Sequence, residues 1–436
     1  MQANLESIGQ LERRLNVTVP IGEINGEVET RLRNLTRTVK MHGFRPGKVP
    51  YKVVAQQYAS QVRQEVIGAT VERNFGEAVR QQNLRVAGYP KFEAKPLTEG
   101  AAEFEFSATF EIYPEVALAD LSQVKVVRPV LNPSEEDVEK TLQIMRRQRA
   151  SFEPVERAAA TGDRLTIDYA GTIDGQPFAG SSALGSTVML GEGRLLPDFE
   201  QHLAGMKGGD TTSFEVRFPD DYHGREAAGK TARFEVTVKE VAEVRLPEVD
   251  AEFAKKLGVA DGDLTKMRQE IRENLEREVK ARLKNRVHEQ VTQALLELNA
   301  VEAPRALVEA EIQRLQALAR RDLAARGVPV KEDTPIPADA FQQQAQRRVS
   351  LGLIFGEIVR KHALHAKPEQ VRAVVEGEAQ SYEHPEEVVK WFYSSPERLR
   401  EIESRVVEAN VLAWALTQMQ VEEQPIVFDE LMEHKK

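Results

Sequence analysis

Residues 164–178 read RLTIDYAGTIDGQPF. Leu165, Ile167 and Tyr169 alternate with polar neighbours, the period of two expected of a half-buried strand. Asp174-Gly175 is a dipeptide that tolerates the positive φ values of a tight hairpin turn. Alternation returns in TSFEVRFP (212–219) and ARFEVTVKEV (232–241), so this part of the chain predicts several short strands folded back on one another. Glycine is dense from about residue 151 to 246 and scarce afterwards, and Pro247 marks a boundary.

On the amino-terminal side, Leu15, Val17 and Val19 alternate as in a strand, and Ile24, Val28, Leu32, Leu35 and Val39 recur at helical spacing. A second helical pattern runs through Val54, Tyr58, Val62 and Val66, and Phe75 and Val79 continue it. EFEFSATFEIY (103–113) puts Phe104, Phe106, Ala108, Phe110 and Ile112 on one face of a strand. Pro114 breaks it. VKVVRPV (124–130) is strand-like, and Ser134 with Asp137 forms a capping-box start for a helix carrying Val138, Leu142 and Met145.

On the carboxy-terminal side the chain is rich in helix formers. Met267, Ile271, Leu275, Val279, Leu283, Val287, Val291 and Leu295 stand four apart. Each step overshoots a turn by about 40°. The apolar stripe therefore winds, which suits a helix packing against different neighbours along its length rather than a coiled coil. Ser395-Pro396-Glu397 reads as an N-cap followed by proline in the first turn.

With 436 residues the chain is long enough for about three domains. No apolar run approaches the ~20 residues of a membrane helix. The opening MQANLESIGQLERRLNV has no basic cluster, apolar core or cleavage site, so no secretory signal is expected. Absence of cysteine excludes disulfides, thiolate metal sites and thiol nucleophiles, and fits the cytoplasm. The net charge of −10 argues against binding nucleic acid through the whole surface, so any polyanion contact is local.

One local exception exists. Between Glu29 and Glu65 there is no acidic residue, while Arg31, Arg33, Arg37, Lys40, Arg45, Lys48, Lys52 and Arg63 all fall there. At the centre lies GFRPGKVP (43–50), where Gly43 and Gly47 permit a tight loop, Pro46 holds Arg45 extended and Phe44 sits at the tip. By itself this is also the composition of a solvated helix-to-helix turn. GFRPGKVP resembles the ribosome-docking signature of the trigger factor family, and that resemblance implies contact with protein and RNA near the peptide exit through Gly43, Phe44, Arg45, Pro46, Gly47 and Lys48. Pro46 stands where the family commonly has lysine, which removes one cation and stiffens the loop.

The central block resembles an FKBP-type prolyl isomerase in four ordered segments: TIDYAGTIDGQPF, VMLGEGRLLPDFEQHLAGMKGGD, FPDDYHG and ARFEVTVKEV. The resemblance implies a catalytic pocket of Asp168, Tyr169, Phe178, Leu195, Leu196, Phe199, Tyr222 and Phe234, with His223 competing for the place of Tyr222. Two departures are Ala179, where an acidic residue often stands, and a missing aromatic wall near Ser186. Without the resemblance, the same aromatics would read as the core of a small barrel.

Other signals are weaker. GEGRLL (191–196) lacks the third glycine and the strand-helix unit of a dinucleotide fingerprint. His362 and His365 are one helical turn apart but lack further ligands, so a solvated helix face is expected. Trp391-Phe392-Tyr393 is either core or a client-contact patch.

The expected fold is multidomain α+β: an α/β ribosome-binding domain (1–113), a connecting arm (114–150) that by the resemblance packs with the C-terminal domain, an inserted FKBP-like β-rich isomerase domain (151–246) and an extended all-α chaperone domain (247–436). The resemblance covers nearly the whole chain, down to VFDELM (427–432). It implies a cytoplasmic chaperone that meets nascent and unfolded polypeptides at the large ribosomal subunit without ATP, metal or cofactor, and isomerises X-Pro bonds. It also implies links to protein export and cell division, with a homodimer off the ribosome left open. A stand-alone isomerase and an RNA-binding regulator are the rival readings.

Overall fold

The computed structural model describes residues 2–45, 47–95, 102–178, 180–193, 195–220, 222, 224, 226–328 and 336–432. Pro46, Ala179 and His223 lie outside the described residues. The first half runs β1 (Gln2–Ser7), β2 (Glu12–Pro20), α1 (Ile21–Thr38), α2 (Tyr51–Gln81), β3 (Val86–Ala94), β4 (Glu103–Ile112), β5 (Lys125–Val130) and α3 (Glu135–Gln148). Next come β6 (Ser151–Val155), β7 (Arg164–Thr172), β8 (Ser182–Met189), α4 (Pro197–Leu203), β9 (Thr211–Arg217) and β10 (Thr231–Arg245). They are followed by α5 (Ala251–Lys256), α6 (Leu264–Leu298), α7 (Arg305–Ala325), α8 (Asp339–His362), α9 (Pro368–Ala379), α10 (Pro385–Tyr393), α11 (Pro396–Gln418), β11 (Gln420–Pro425) and α12 (Phe428–Met432).

These elements gather into two compact units, each discontinuous in sequence: Met1–Arg128 with Asn285–Glu423, and Pro129–Lys284 with Gln424–Lys436.

In the first unit an antiparallel sheet has the order β1-β2-β4-β3. Leu15, Val17 and Val19 stand opposite Ala108, Phe106 and Phe104, so both strands present one apolar face. That face is covered by Ile24 and Leu32 of α1 and by Val54, Val62 and Val66 of α2. β1 has no counterpart in the sequence reading, because in QANLES only Leu5 is even half-buried and no alternation shows. The sheet meets α7 at a close approach: a Cβ on Gly88 would stand 2.5 Å from Cβ of Ala306. Nearby, the Glu111 carboxylate accepts a hydrogen bond from the Ala306 N–H at 2.8 Å. A separate core joins Val291 and Leu295 of α6 to Ile354 and Ile358 of α8 and Val411 and Ala415 of α11.

In the second unit β6, β10, β7 and β8 form the sheet in that order, and β9 pairs with β10. Leu165 and Ile167 of β7, Phe214 and Val216 of β9, and Phe234, Val236 and Val238 of β10 form its core with Phe199 and Leu203 of α4. Asp174 (φ 51°) and Gly175 (φ 78°) make the hairpin turn that their identities predict. The expected capping box of α3 is present: Ser134 N–H donates to Asp137 Oδ2 at 2.8 Å, and Asp137 N–H to Ser134 Oγ at 3.3 Å. Val138 and Leu142 of α3 pack with Phe253, with Met267, Ile271, Leu275 and Val279 of α6, and with Phe428 and Leu431.

The winding stripe of α6 is thereby explained, because its first four members serve the core of the second unit and Val291 and Leu295 serve that of the first. Two local expectations are corrected. α8 stops at His362 and Ala363 is left-handed (φ 53°), so His362 and His365 do not share a helix face; His362 instead packs on Trp414 at 4.2 Å. Ser395 does occupy the N-cap of α11 with Pro396 in the first turn, but its side chain makes no capping hydrogen bond.

Candidate functional site

A cavity of about 720 Å³ opens on the second unit, and its walls come from strands, loops and the short helix between residues 167 and 234. Ile167 and Tyr169 reach it from β7, Ser186 and Val188 from β8, and Phe199 from α4, where Pro197 opens the helix. Leu195 and Leu196 line it just before that helix, Phe178 just after the hairpin, and Phe234 from β10. Phe234 is the hub: its ring centroid lies 5.3 Å from Phe199, 6.2 Å from Tyr169, 6.3 Å from Phe178 and 6.3 Å from Phe218. The contacts with Phe199 and Phe178 are edge-on, the geometry favoured by ring quadrupoles. Gly171 makes room for this hub, since a Cβ there would stand 2.5 Å from Cε1 of Phe234.

Seven of the eight pocket residues anticipated from the sequence line this cavity: Tyr169, Phe178, Leu195, Leu196, Phe199, Tyr222 and Phe234. Asp168 does not. Strand alternation turns it away from Ile167 and Tyr169, and its carboxylate accepts from the Gly185 N–H at 2.7 Å and pairs with Lys239 Nζ at 2.9 Å. The Gly185 N–H first, and then the Lys239 ammonium, hold this carboxyl below the usual carboxylate range.

The residue-by-residue reading missed Ile167, Val188, Phe218 and Ala227 as lining residues. Phe218 was legible as the continuation of the alternation Phe214, Val216, Phe218, and its ring lies tilted at 4.6 Å from that of Tyr222. Ser186 lines the wall where an aromatic was found wanting. Among the described lining residues Glu226 alone is charged.

At the rim of the same sheet Asp163 is buried and accepts from both terminal guanidinium nitrogens of Arg157, Nη1 and Nη2, at 2.5 and 2.9 Å, and from the N–H of Ala160 at 2.8 Å. The Arg157 guanidinium, followed by the Ala160 N–H, holds its carboxyl below the usual range. Among the described residues no group of three or more His, Asp or Glu side chains could hold a metal ion, and no helix is long and apolar enough to cross a membrane.

The basic loop lies in the first unit, between α1 and α2. Gly43 (φ 86°) and Gly47 (φ 78°) take the left-handed values their identity allows, and the Lys48 N–H donates to the Arg45 carbonyl at 3.0 Å to close a turn. Val49, only 4% exposed, plugs the base of the loop into the core, while Phe44 is 38% exposed and Arg45 and Lys48 face solvent. Among the described residues, Arg31 and Arg33 pair with Glu27 and Glu29. Arg37, Lys40, Arg45, Lys48, Lys52 and Arg63 form no ion pair there.

Residues 155–239 match the model of the FKBP-type peptidyl-prolyl cis-trans isomerase family, so the cavity-bearing domain is a peptidyl-prolyl isomerase of that class. Residues 1–145 match the model described as bacterial trigger factor protein, and 263–417 match that of its C-terminus. Trigger factors from Nitrosospira multiformis and Aromatoleum aromaticum are 55% and 53% identical to this chain, each over 433 residues and 99% of both partners. A trigger factor chaperone of known structure aligns over 96% of this chain and 99% of its own, at 19% identity and a TM-score of 0.49, too loose a fit to argue from. The chain belongs to the trigger factor family, the ribosome-associated chaperones that carry an FKBP-type isomerase domain. It binds ribosomes and nascent chains, and the stand-alone isomerase finds no support.

Proposed function

We propose that Tyr169, Phe178, Leu195, Leu196, Phe199, Tyr222 and Phe234 receive the prolyl ring and its preceding peptide bond, with Asp168 acting from outside the cavity. The observation that carries this reading is an aromatic cavity with a single charged group among its described lining residues. An X-Pro bond is planar through resonance and crosses a barrier of about 20 kcal/mol in tens of seconds or more. Walls that cannot hydrate the amide penalise its polar planar form relative to the twisted one, so rotation speeds without acid, base or nucleophile. Phe199→Ala in the full chain should lower kcat/KM for a proline peptide by about tenfold or more while leaving suppression of client aggregation intact. Equal loss of both would overturn the assignment.

The second part of the proposal is docking through Gly43, Phe44, Arg45, Pro46, Gly47 and Lys48 to protein and RNA of the large ribosomal subunit beside the exit tunnel, in the cytoplasm. The helical regions then shelter apolar stretches of nascent chain without ATP, weakly at each site and more strongly through tethering. The division at residues 113, 150 and 246 belongs to the same reading, as does self-association off the ribosome. Support comes from the cations around the loop that have no ion-pair partner among the described residues, and from the exposed Phe44. Ribosome co-sedimentation tests it: Phe44→Ala with Arg45→Ala should release the protein. If the double variant pellets with ribosomes as wild type does, the loop is not the anchor.

A further inference from the structure

β7 is flanked by two irregularities at the same level. Toward β8, Ile167 pairs with Ser186 and Tyr169 with Ala183, so Leu184 and Gly185 together face the single residue Asp168. Toward β10, Ile167 pairs with Val238 and Thr166 with Glu240, which leaves Lys239 as the extra residue. Such bulges bend a strand and re-aim its side chains, and they hold one geometry only if their freed polar groups find partners.

Both bulges end on one side chain. One carboxylate oxygen of Asp168 takes the Gly185 N–H at 2.7 Å, and the other takes Lys239 Nζ at 2.9 Å. Gly185 is left-handed (φ 63°), and Leu184 beside it is 87% exposed and adds nothing to the core. The strands so tied carry the cavity wall on their other face: Ile167 and Tyr169 from β7, Ser186 and Val188 from β8, and Phe234 from β10.

We infer that Asp168 is a positioning residue for prolyl isomerisation, a strut that fixes the spacing of β8 and β10 about β7 and so the fit of the cavity around the substrate. The inference rests on the reading of this cavity as the isomerase site. Asp168 touches no substrate; it acts through the bulges. Its loss loosens the wall before any chemistry, and the effect falls on binding. A group that served only global stability would change the fraction of folded enzyme, lowering the apparent kcat at constant KM.

The test measures isomerisation of a peptide bearing one Leu-Pro bond by the full chain, with kcat and KM resolved separately at a temperature where circular dichroism shows each variant folded. Asp168→Ala should raise KM by about tenfold with kcat little changed, a loss typical of misplaced positioning groups. Asp168→Asn keeps an acceptor for the Gly185 N–H, and Lys239→Met removes only the other tie, so each should fall between wild type and Asp168→Ala. If wild type is active and Asp168→Ala matches it in both constants, or loses only kcat, the strut is refuted while the cavity assignment stands. If wild type does not accelerate the reaction, the cavity assignment falls, and the role of Asp168 with it. Should Asp168→Ala fail to fold, the ordering of the two single-tie variants decides: KM unchanged in both overturns the inference.

Discussion

A methyl group added at Gly171 would stand 2.5 Å from Cε1 of Phe234, whose ring touches four other aromatic side chains of the cavity. Overfilling a packed core of this kind typically costs about 1–3 kcal/mol. Gly171→Ala should therefore lower both the urea midpoint and kcat/KM for a proline peptide, whereas a substitution at solvent-exposed Gly175 disturbs only a turn. Asp163 gives a prediction with a pH signature. Its folded-state carboxyl is held below its ordinary value by Arg157 and then by the Ala160 N–H. The stability it contributes is thus complete above the unfolded value near 4 and is lost as the pH falls through the lower folded one. Asp163→Ala should cost about 2 kcal/mol at neutral pH, and the gap to wild type should narrow only in acid, as followed by urea unfolding across pH. Part of this scale was readable: Tyr169 and Phe234 lie on strands that alternation marks, and with Phe199, which the family resemblance supplied, they line the cavity. Asp168 shows where a family's pocket and local periodicity disagree. Standing between Ile167 and Tyr169, it had to face away from them, and the bulges that give it partners depend on register, which no single strand displays.

Among the elements, α6 is the one whose periodicity carried the most information. Its stripe of residues four apart was expected to wind, and it does so from a core containing Phe253 and Phe428 to one containing Ile354 and Val411. Leu275→Ala and Leu295→Ala each remove a buried leucine, worth about 3 kcal/mol. The first should lower hydrogen-exchange protection in α3 and α5, and the second in α8 and α11. Spread of both effects over the whole chain would contradict two separate cores. Ends of elements were harder to see. The halt of α8 at Ala363 has no glycine or proline at the turn, so the pair His362 and His365 read as one helix face when it is not. The aromatic run at the end of α10 splits in a way composition could not show, with Phe392 packed inward and Trp391 and Tyr393 about half exposed.

For the molecule as a whole, an acidic chain of net charge −10 carries around one loop a cluster of cations, of which Arg37, Lys40, Arg45, Lys48, Lys52 and Arg63 have no acidic partner among the described residues. Cationic contact with RNA phosphate releases bound counterions, so affinity falls steeply with salt. Arg45→Ala with Lys48→Ala should flatten the slope of log affinity for ribosomes against log salt by about 1–2. An unaltered slope would place the contact elsewhere. The broad sequence of parts was legible because strand and helix periods change sharply near residues 151 and 246, and the family resemblance implied that the arm before the isomerase domain belongs with the helices after it; which residues join which core was not legible, since that depends on which apolar faces meet in space. That pairing bears on the protein's own birth. The core around Phe234 draws, among the described residues, on positions 155–241 and can close as soon as that stretch has left the tunnel, whereas the core around α6 and α8 needs Met419 and the one around α3 needs Phe428 and Leu431. Translation must therefore all but finish before either helical core is complete, and for most of its synthesis this guardian of unfinished chains is itself one of them.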